Sequence, residues 1–221
     1  MKSWSNIKEM TKSKHEIPKN LRISRWSFLI AIFVIGALLA SLPEMLTVGA
    51  SWFIPAISFM LLVPLIYTVA RGHHVFTRIL TFIILGIVTS GLISSVIFLI
   101  DTLFTHKAVA SSLFRDAVLL WVANVIVFTV WYWEVDQGGP VSRHTGQSQS
   151  PDFLFPQIAA GLTNWKPGFF DYLFLAFNTN TAFSPTDTSV MSRRAKLLMM
   201  TQASISLVIL AVLAARAVNI V

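Results

Sequence analysis

Apolar residues fall into five long runs separated by short polar stretches, and this pattern dominates the chain. The runs cover residues 26–42, 50–70, 79–100, 117–133 and 197–215. Each approaches the ~20 residues that a helix needs to cross the hydrocarbon core of a bilayer. The second run carries Pro55 and Pro64, which a membrane helix tolerates as a kink when neighbours satisfy the freed carbonyls. The third holds the pairs Ser90/Ser94 and Gly91/Ser95, spaced so that helix backbones can approach closely. The fourth ends in Trp131, Tyr132 and Trp133, which read as an aromatic belt at the membrane surface. Glu134-Val-Asp-Gln-Gly-Gly-Pro140 then breaks the helix, because paired glycines followed by proline punctuate a chain strongly. A polar loop follows. Its apolar patch, residues 153–160, is too short to span and is expected at the interface. A shorter apolar stretch at 169–183 turns polar at its end. The pattern predicts an all-α membrane protein with five transmembrane helices and a short re-entrant or half-helix hairpin over residues 168–190. Six spans are the alternative, if residues 169–183 cross fully.

Composition agrees with the pattern. Hydrophobic residues make up 55% and charged residues 12%, about half the charged share of a soluble domain. The net charge of +7 is not spread over the chain, since seven of the 17 Lys and Arg lie in the first 25 residues. Those are Lys2, Lys8, Lys12, Lys14, Lys19, Arg22 and Arg25. Residues 1–25 therefore read as a basic cytoplasmic segment, and residues 26–221 as a single transmembrane helical domain. With 169–183 re-entrant, every other Lys and Arg except Lys107, Arg115 and Arg216 falls on the same inner side. A basic flank of this kind suits anionic lipid and does not indicate nucleic acid. The expected partners are the lipid bilayer and further copies of the chain. No cysteine is present, so disulfides, thiolate metal sites and thiol catalysis are excluded. Zinc-protease, nucleophile-elbow, P-loop and dinucleotide motifs are missing. The chain is not expected to be an enzyme, and no cofactor is indicated. Glu134 and Asp136 read as an exposed turn after the fourth helix, because they share no metal-ligand spacing with His144. Asn124, in mid-run, reads as an interhelical hydrogen bond.

One segment carries candidate chemistry. Asp171-Tyr-Leu-Phe-Leu-Ala-Phe runs into Asn178, Thr179, Asn180 and Thr181, followed by Ser184-Pro-Thr-Asp187. Irregular polar backbone at membrane depth occurs only where protein buries it or a water-filled cavity lines it. Thr179, Thr181, Ser184, Thr186 and Asp187 are therefore the candidate permeation or binding residues. Hydroxyls and carbonyls would be the ligands, with Asp187 selecting charge or pairing with Arg193 or Arg194. The competing reading is structural, with hydroxyls bonding the backbone or capping the next helix.

Residues 171–219 resemble the pore module of potassium-channel-type proteins: a pore helix, a Thr-rich filter ending in Asp, a Pro-containing turn and an inner helix. Thr179, Thr181 and Asp187 fall at the filter positions, and residues 193–219 at the inner helix. The likeness departs at the filter itself. That element needs glycines, whereas this chain has Ala182-Phe-Ser-Pro-Thr, and Pro185 cannot take positive φ. The charge bias also places the loop on the inner side. A potassium-selective filter is not expected. The chain more fully resembles a family of uncharacterised bacterial multi-pass integral membrane proteins. The residues that carry this are Trp131-Tyr-Trp-Glu-Val-Asp-Gln-Gly-Gly-Pro140, Pro151-Asp-Phe-Leu-Phe-Pro156, Asp171-Tyr172, Thr181-Ala-Phe-Ser-Pro-Thr-Asp187 and Ala215-Arg-Ala-Val-Asn219. The resemblance implies a bacterial cytoplasmic membrane location and supplies no activity. The expected function is a small channel-like or transport protein, oligomeric because one five-span chain hardly encloses a pore. The alternative is a non-transporting membrane scaffold or sensor that acts through helix contacts.

Overall fold

The structure, a computed structural model, describes residues 26–47, 52–71, 74–105, 110–145, 150–162, 165–181 and 187–218. The basic segment 1–25, Ser184 and Thr186 lie outside the described residues. The all-α expectation holds. The principal helices are α1 (Trp26–Ala40), α2 (Phe53–Arg71), α3 (His74–Thr105) and α4 (Ala110–Val135). Short helices α5 (Pro140–Thr145) and α6 (Pro156–Ala159) follow, then α7 (Phe169–Thr181) and α8 (Arg193–Val218). Strands β1 (Phe153–Leu154) and β2 (Ser189–Val190) pair antiparallel, Phe153 opposite Val190.

Three segments are long and apolar enough to cross a membrane: Val75–Thr105, Ser112–Gly138 and Arg193–Ala215. The apolar helices Leu29–Ala40 and Phe59–Arg71 are shorter, so length and composition alone do not carry a count of five spans. Around a largely apolar core, large apolar side chains also face outward and several polar ones are enclosed. Ile30, Phe33, Met60, Val63, Ile97, Met200 and Leu207 are exposed, while Asn124, Thr129, Gln202 and Ser206 are fully buried. A hydrocarbon solvent rewards that arrangement, since each polar group then finds its partner inside the protein.

Helix α4 is the hub, touching α1, α3, α7 and α8. Its C-terminal end lies beside the starts of α7 and α8. Trp133 packs edge-on against Phe169, and Asp152, which bonds the turn after α4, also accepts from Met191 and Arg194 at the start of α8. Helix α3 runs antiparallel to α4, joined by a hydrogen bond from the Trp131 indole to Thr89 Oγ1 (2.9 Å). The buried side of α3 includes Gly91 and Ser95, whereas Ser90 and Ser94 bond carbonyls of their own helix.

Helices α7 and α8 run parallel. Gln202 of α8 bonds Ala176 of α7, and one turn further along both helices Ser206 bonds Asn180. Two consecutive helices can be parallel only if the chain returns between them. By Met191, whose N–H donates to Asp152 O (2.9 Å), it is back at the end where α7 began. The dimensions allow this. Thirteen residues of α7 rise about 20 Å, which is less than the roughly 27 Å that eight residue steps, the number from Thr181 to Ser189, can span at most. The local sequence supports both helix starts. The Asp171 carboxylate accepts the Gly168 N–H (2.7 Å), a reciprocal capping contact. Ser192 Oγ accepts the Ala195 N–H (3.2 Å) at the N-cap of α8.

Candidate functional site

The turn after α4 is the anchor of the site. Gln137, Gly138 and Gly139 all have positive φ, at 53°, 80° and 97°. They fold residues 136–139 tightly back before Pro140 starts α5. Asp136 is thereby turned inward and is fully buried. Its Oδ1 accepts the Asp152 and Phe153 N–H groups (2.8 and 3.2 Å), and its Oδ2 accepts the Tyr172 hydroxyl (2.5 Å). Asp152 in turn accepts the Gln137 N–H (3.0 Å) and a forked contact from Arg194, at 2.6 and 2.7 Å. Arg143 lies over the Tyr172 ring and donates to the Trp133 and Asp136 carbonyls (2.9 and 2.8 Å). Phe153 and Phe155 pack on Tyr172, and Phe153 also on Tyr132. This clamp ties α4, β1, α7 and α8 together at one end of the bundle. Burial disfavours the Asp152 charge, but hydrogen bonds from Arg194, Ser192 and the Gln137 N–H outweigh it. Its carboxyl is held below the usual carboxylate range.

Three expectations are corrected here. Glu134 and Asp136 are not an exposed turn; both are buried, Glu134 on the last turn of α4 and Asp136 at the positive-φ turn, where its carboxylate accepts from Asp152, Phe153 and Tyr172. The aromatic triplet does not face outward as a belt would. Tyr132 and Trp133 are buried and Trp131 bonds α3. The 153–160 patch does not simply lie at an interface, since Phe153 and Phe155 insert into the core. The forked partner of Arg194 is Asp152, and Asp187 is exposed.

From this clamp α7 descends alongside α4, and its tip meets a buried polar cluster. Asn124 Nδ2 donates to Asn180 Oδ1 (2.6 Å) and to the Gln202 carbonyl (3.2 Å). Asn180 Nδ2 donates to the Trp121 carbonyl (3.2 Å). The Tyr132 hydroxyl donates to Gln202 Oε1, Gln202 Nε2 donates to the Ala176 carbonyl (2.8 Å), and Ser206 donates to the Asn180 carbonyl. Asn124 stands near the middle of the Ser112–Gly138 segment, so the tip of α7 lies about halfway along it.

The five candidate residues are not all at this cluster. Thr179 Oγ1 bonds Leu175 O (2.8 Å) and Thr181 Oγ1 bonds Asn178 O (2.9 Å). Both are half-buried on the last turns of α7. Asp187 is exposed. The reading of Asn124 as an interhelical hydrogen bond agrees with the geometry. Asn180, Gln202 and Ser206 were missed as partners. Gln202 and Ser206 are four apart in an apolar run, the spacing of one helix face, and this signal could have paired them with the polar end of α7. Arg143 gave no such signal.

Comparisons with protein families, with curated proteins and with solved structures find no match to this chain.

Proposed function

We propose that the chain is a polytopic protein of the bacterial cytoplasmic membrane that acts as a small channel-like or transport protein. In this reading α7 and its return form a re-entrant element that places Thr179 to Asp187 where a solute or ion would pass or bind. The observation that carries the reading is the parallel packing of α7 and α8. It brings a helix end, whose last-turn carbonyls have no backbone partner within the helix, to mid-depth in a bundle of apolar helices, where hydroxyls of Thr181 and Ser206 donate to two of them. Interrupted helices of this kind are where transporters hold their substrates and ions. Polar groups are placed at such depth with reason, because each one left unsatisfied there costs several kcal/mol. Homo-oligomerisation would enclose the path. The N-terminus is cytoplasmic in this reading. The clamp end, which gathers Arg71, Arg78, Arg143, Arg193, Arg194 and Lys196, is also cytoplasmic under the positive-inside rule.

A non-transporting scaffold or sensor is favoured by a different observation: Thr179 and Thr181 already bond their own helix. Cysteine accessibility separates the two. The chain has no cysteine, so single cysteines at Thr179, Thr181, Ser184, Thr186 and Asp187 report cleanly. The channel-like reading expects a membrane-impermeant thiol reagent to label Thr181→Cys, Ser184→Cys and Thr186→Cys as well as exposed Asp187→Cys. Protection of the first four positions, in variants shown to be folded, replaces this reading with the scaffold.

A further inference from the structure

Trp121 and Asn124 stand three residues apart on α4 and so share one face. Both turn to the tip of α7. The indole meets Phe177 edge-on with centroids 5.7 Å apart, and the amide holds Asn180. Each keeps one buried polar atom with no hydrogen-bond partner among the described residues: indole Nε1 and amide Oδ1. Asn124 is fully buried. Its amide cannot be reversed to cure this, because its nitrogen already donates to two oxygens, Asn180 Oδ1 and Gln202 O. A reversed amide would set oxygen against oxygen at both.

One of the two atoms is a donor and the other an acceptor. A hydroxyl group satisfies both, accepting from the indole and donating to the amide oxygen. A cation would satisfy the amide oxygen alone and would face the positive edge of the indole N–H. The charge balance agrees. Trp121, Asn124, Tyr132, Asn180, Gln202 and Ser206 carry no formal charge at neutral pH, and the end of α7 offers only about half an elementary charge. A bare ion loses far more than that on leaving water. We propose that the tip of α7 is a binding site for the hydroxyl of a small neutral molecule, water or a short polyol, held between Trp121 Nε1 and Asn124 Oδ1. The proposal rests on the channel-like reading and deepens it, since it makes the solute class neutral and hydroxylic.

Two measurements on the full-length chain test it separately. The resonance Raman difference between wild type and Trp121→Phe isolates one indole N–H among the seven tryptophans. Its band is expected at a hydrogen-bonded position. A free N–H band overturns the site. Trp121→Tyr serves for the subtraction if the Phe variant does not fold. Glycerol distinguishes the two sources. A bonded band that shifts with glycerol assigns a polyol, one that stays assigns water, and either supports the site. In proteoliposomes, water or glycerol is expected to cross several-fold faster than in protein-free vesicles, and Trp121→Phe to abolish most of that gain. Rubidium flux that Trp121→Phe abolishes overturns the neutral-solute proposal and leaves a channel. A bonded indole with no flux of water, glycerol or rubidium supports the site and ends the transport reading.

Discussion

Asp152 shows how much one side chain can hold. Its carboxylate joins the turn after α4, through the Gln137 N–H, to the start of α8, through Arg194. The Asp152 side chain is 1% exposed and that of Arg194 is 46% exposed. Removing the carboxylate charge therefore falls between the buried-pair and surface-pair cases, at about 1–3 kcal/mol of destabilisation for Asp152→Asn. The pH dependence follows from the lowered pKa. The stabilisation is complete above the unfolded carboxylate value of about 3.9. It is lost as pH falls through the still lower folded value. Thermal unfolding in detergent should show wild type losing more stability than Asp152→Asn over that acid range. Parallel acid limbs in the two proteins would contradict this role for the pair.

At the scale of elements, the turn after α4 decides where α7 begins. Gly139 has φ 97° and ψ 173°, a region essentially reserved for glycine. A Cβ built there would lie 3.3 Å from the Glu134 carbonyl oxygen. Gly139→Ala should cost on the order of 1–3 kcal/mol, read as a lower midpoint in a denaturation series. It should also loosen Asp136, because the residues that turn it inward share this backbone. An unchanged midpoint would mean that the turn reshapes freely and does not set the entry of α7. The same turn explains why Glu134 and Asp136 misread as exposed. They stand in a run that looks like a solvated linker, whereas α4 continues through Glu134 and the chain folds back after Asp136 through three positive φ angles.

For the whole molecule the testable quantity is orientation. The clamp end carries most of the described Lys and Arg, and the α3–α4 end carries Arg115, which is paired with Asp116. In intact cells, Thr105→Cys should label with an impermeant thiol reagent from outside. Ser150→Cys and Lys166→Cys should label only after permeabilisation. All three positions are exposed, so the reverse pattern would invert the assignment rather than report on burial.

The apolar runs by themselves determined the class of this protein. A backbone in hydrocarbon must close its own hydrogen bonds, and a helix is the local way to do so, so run length alone predicts helices. The polar break at residues 134–140 and the half-length seventh helix were legible for the same reason, being local in sequence. Tertiary structure alone decided the partners. Asn124 meets Asn180 and Gln202 across separations of 56 and 78 residues, and Arg194 meets Asp152 across 42. No local periodicity encodes such pairings. They arise because α7 and α8 run parallel, and that direction depends on where the chain turns rather than on how apolar it is.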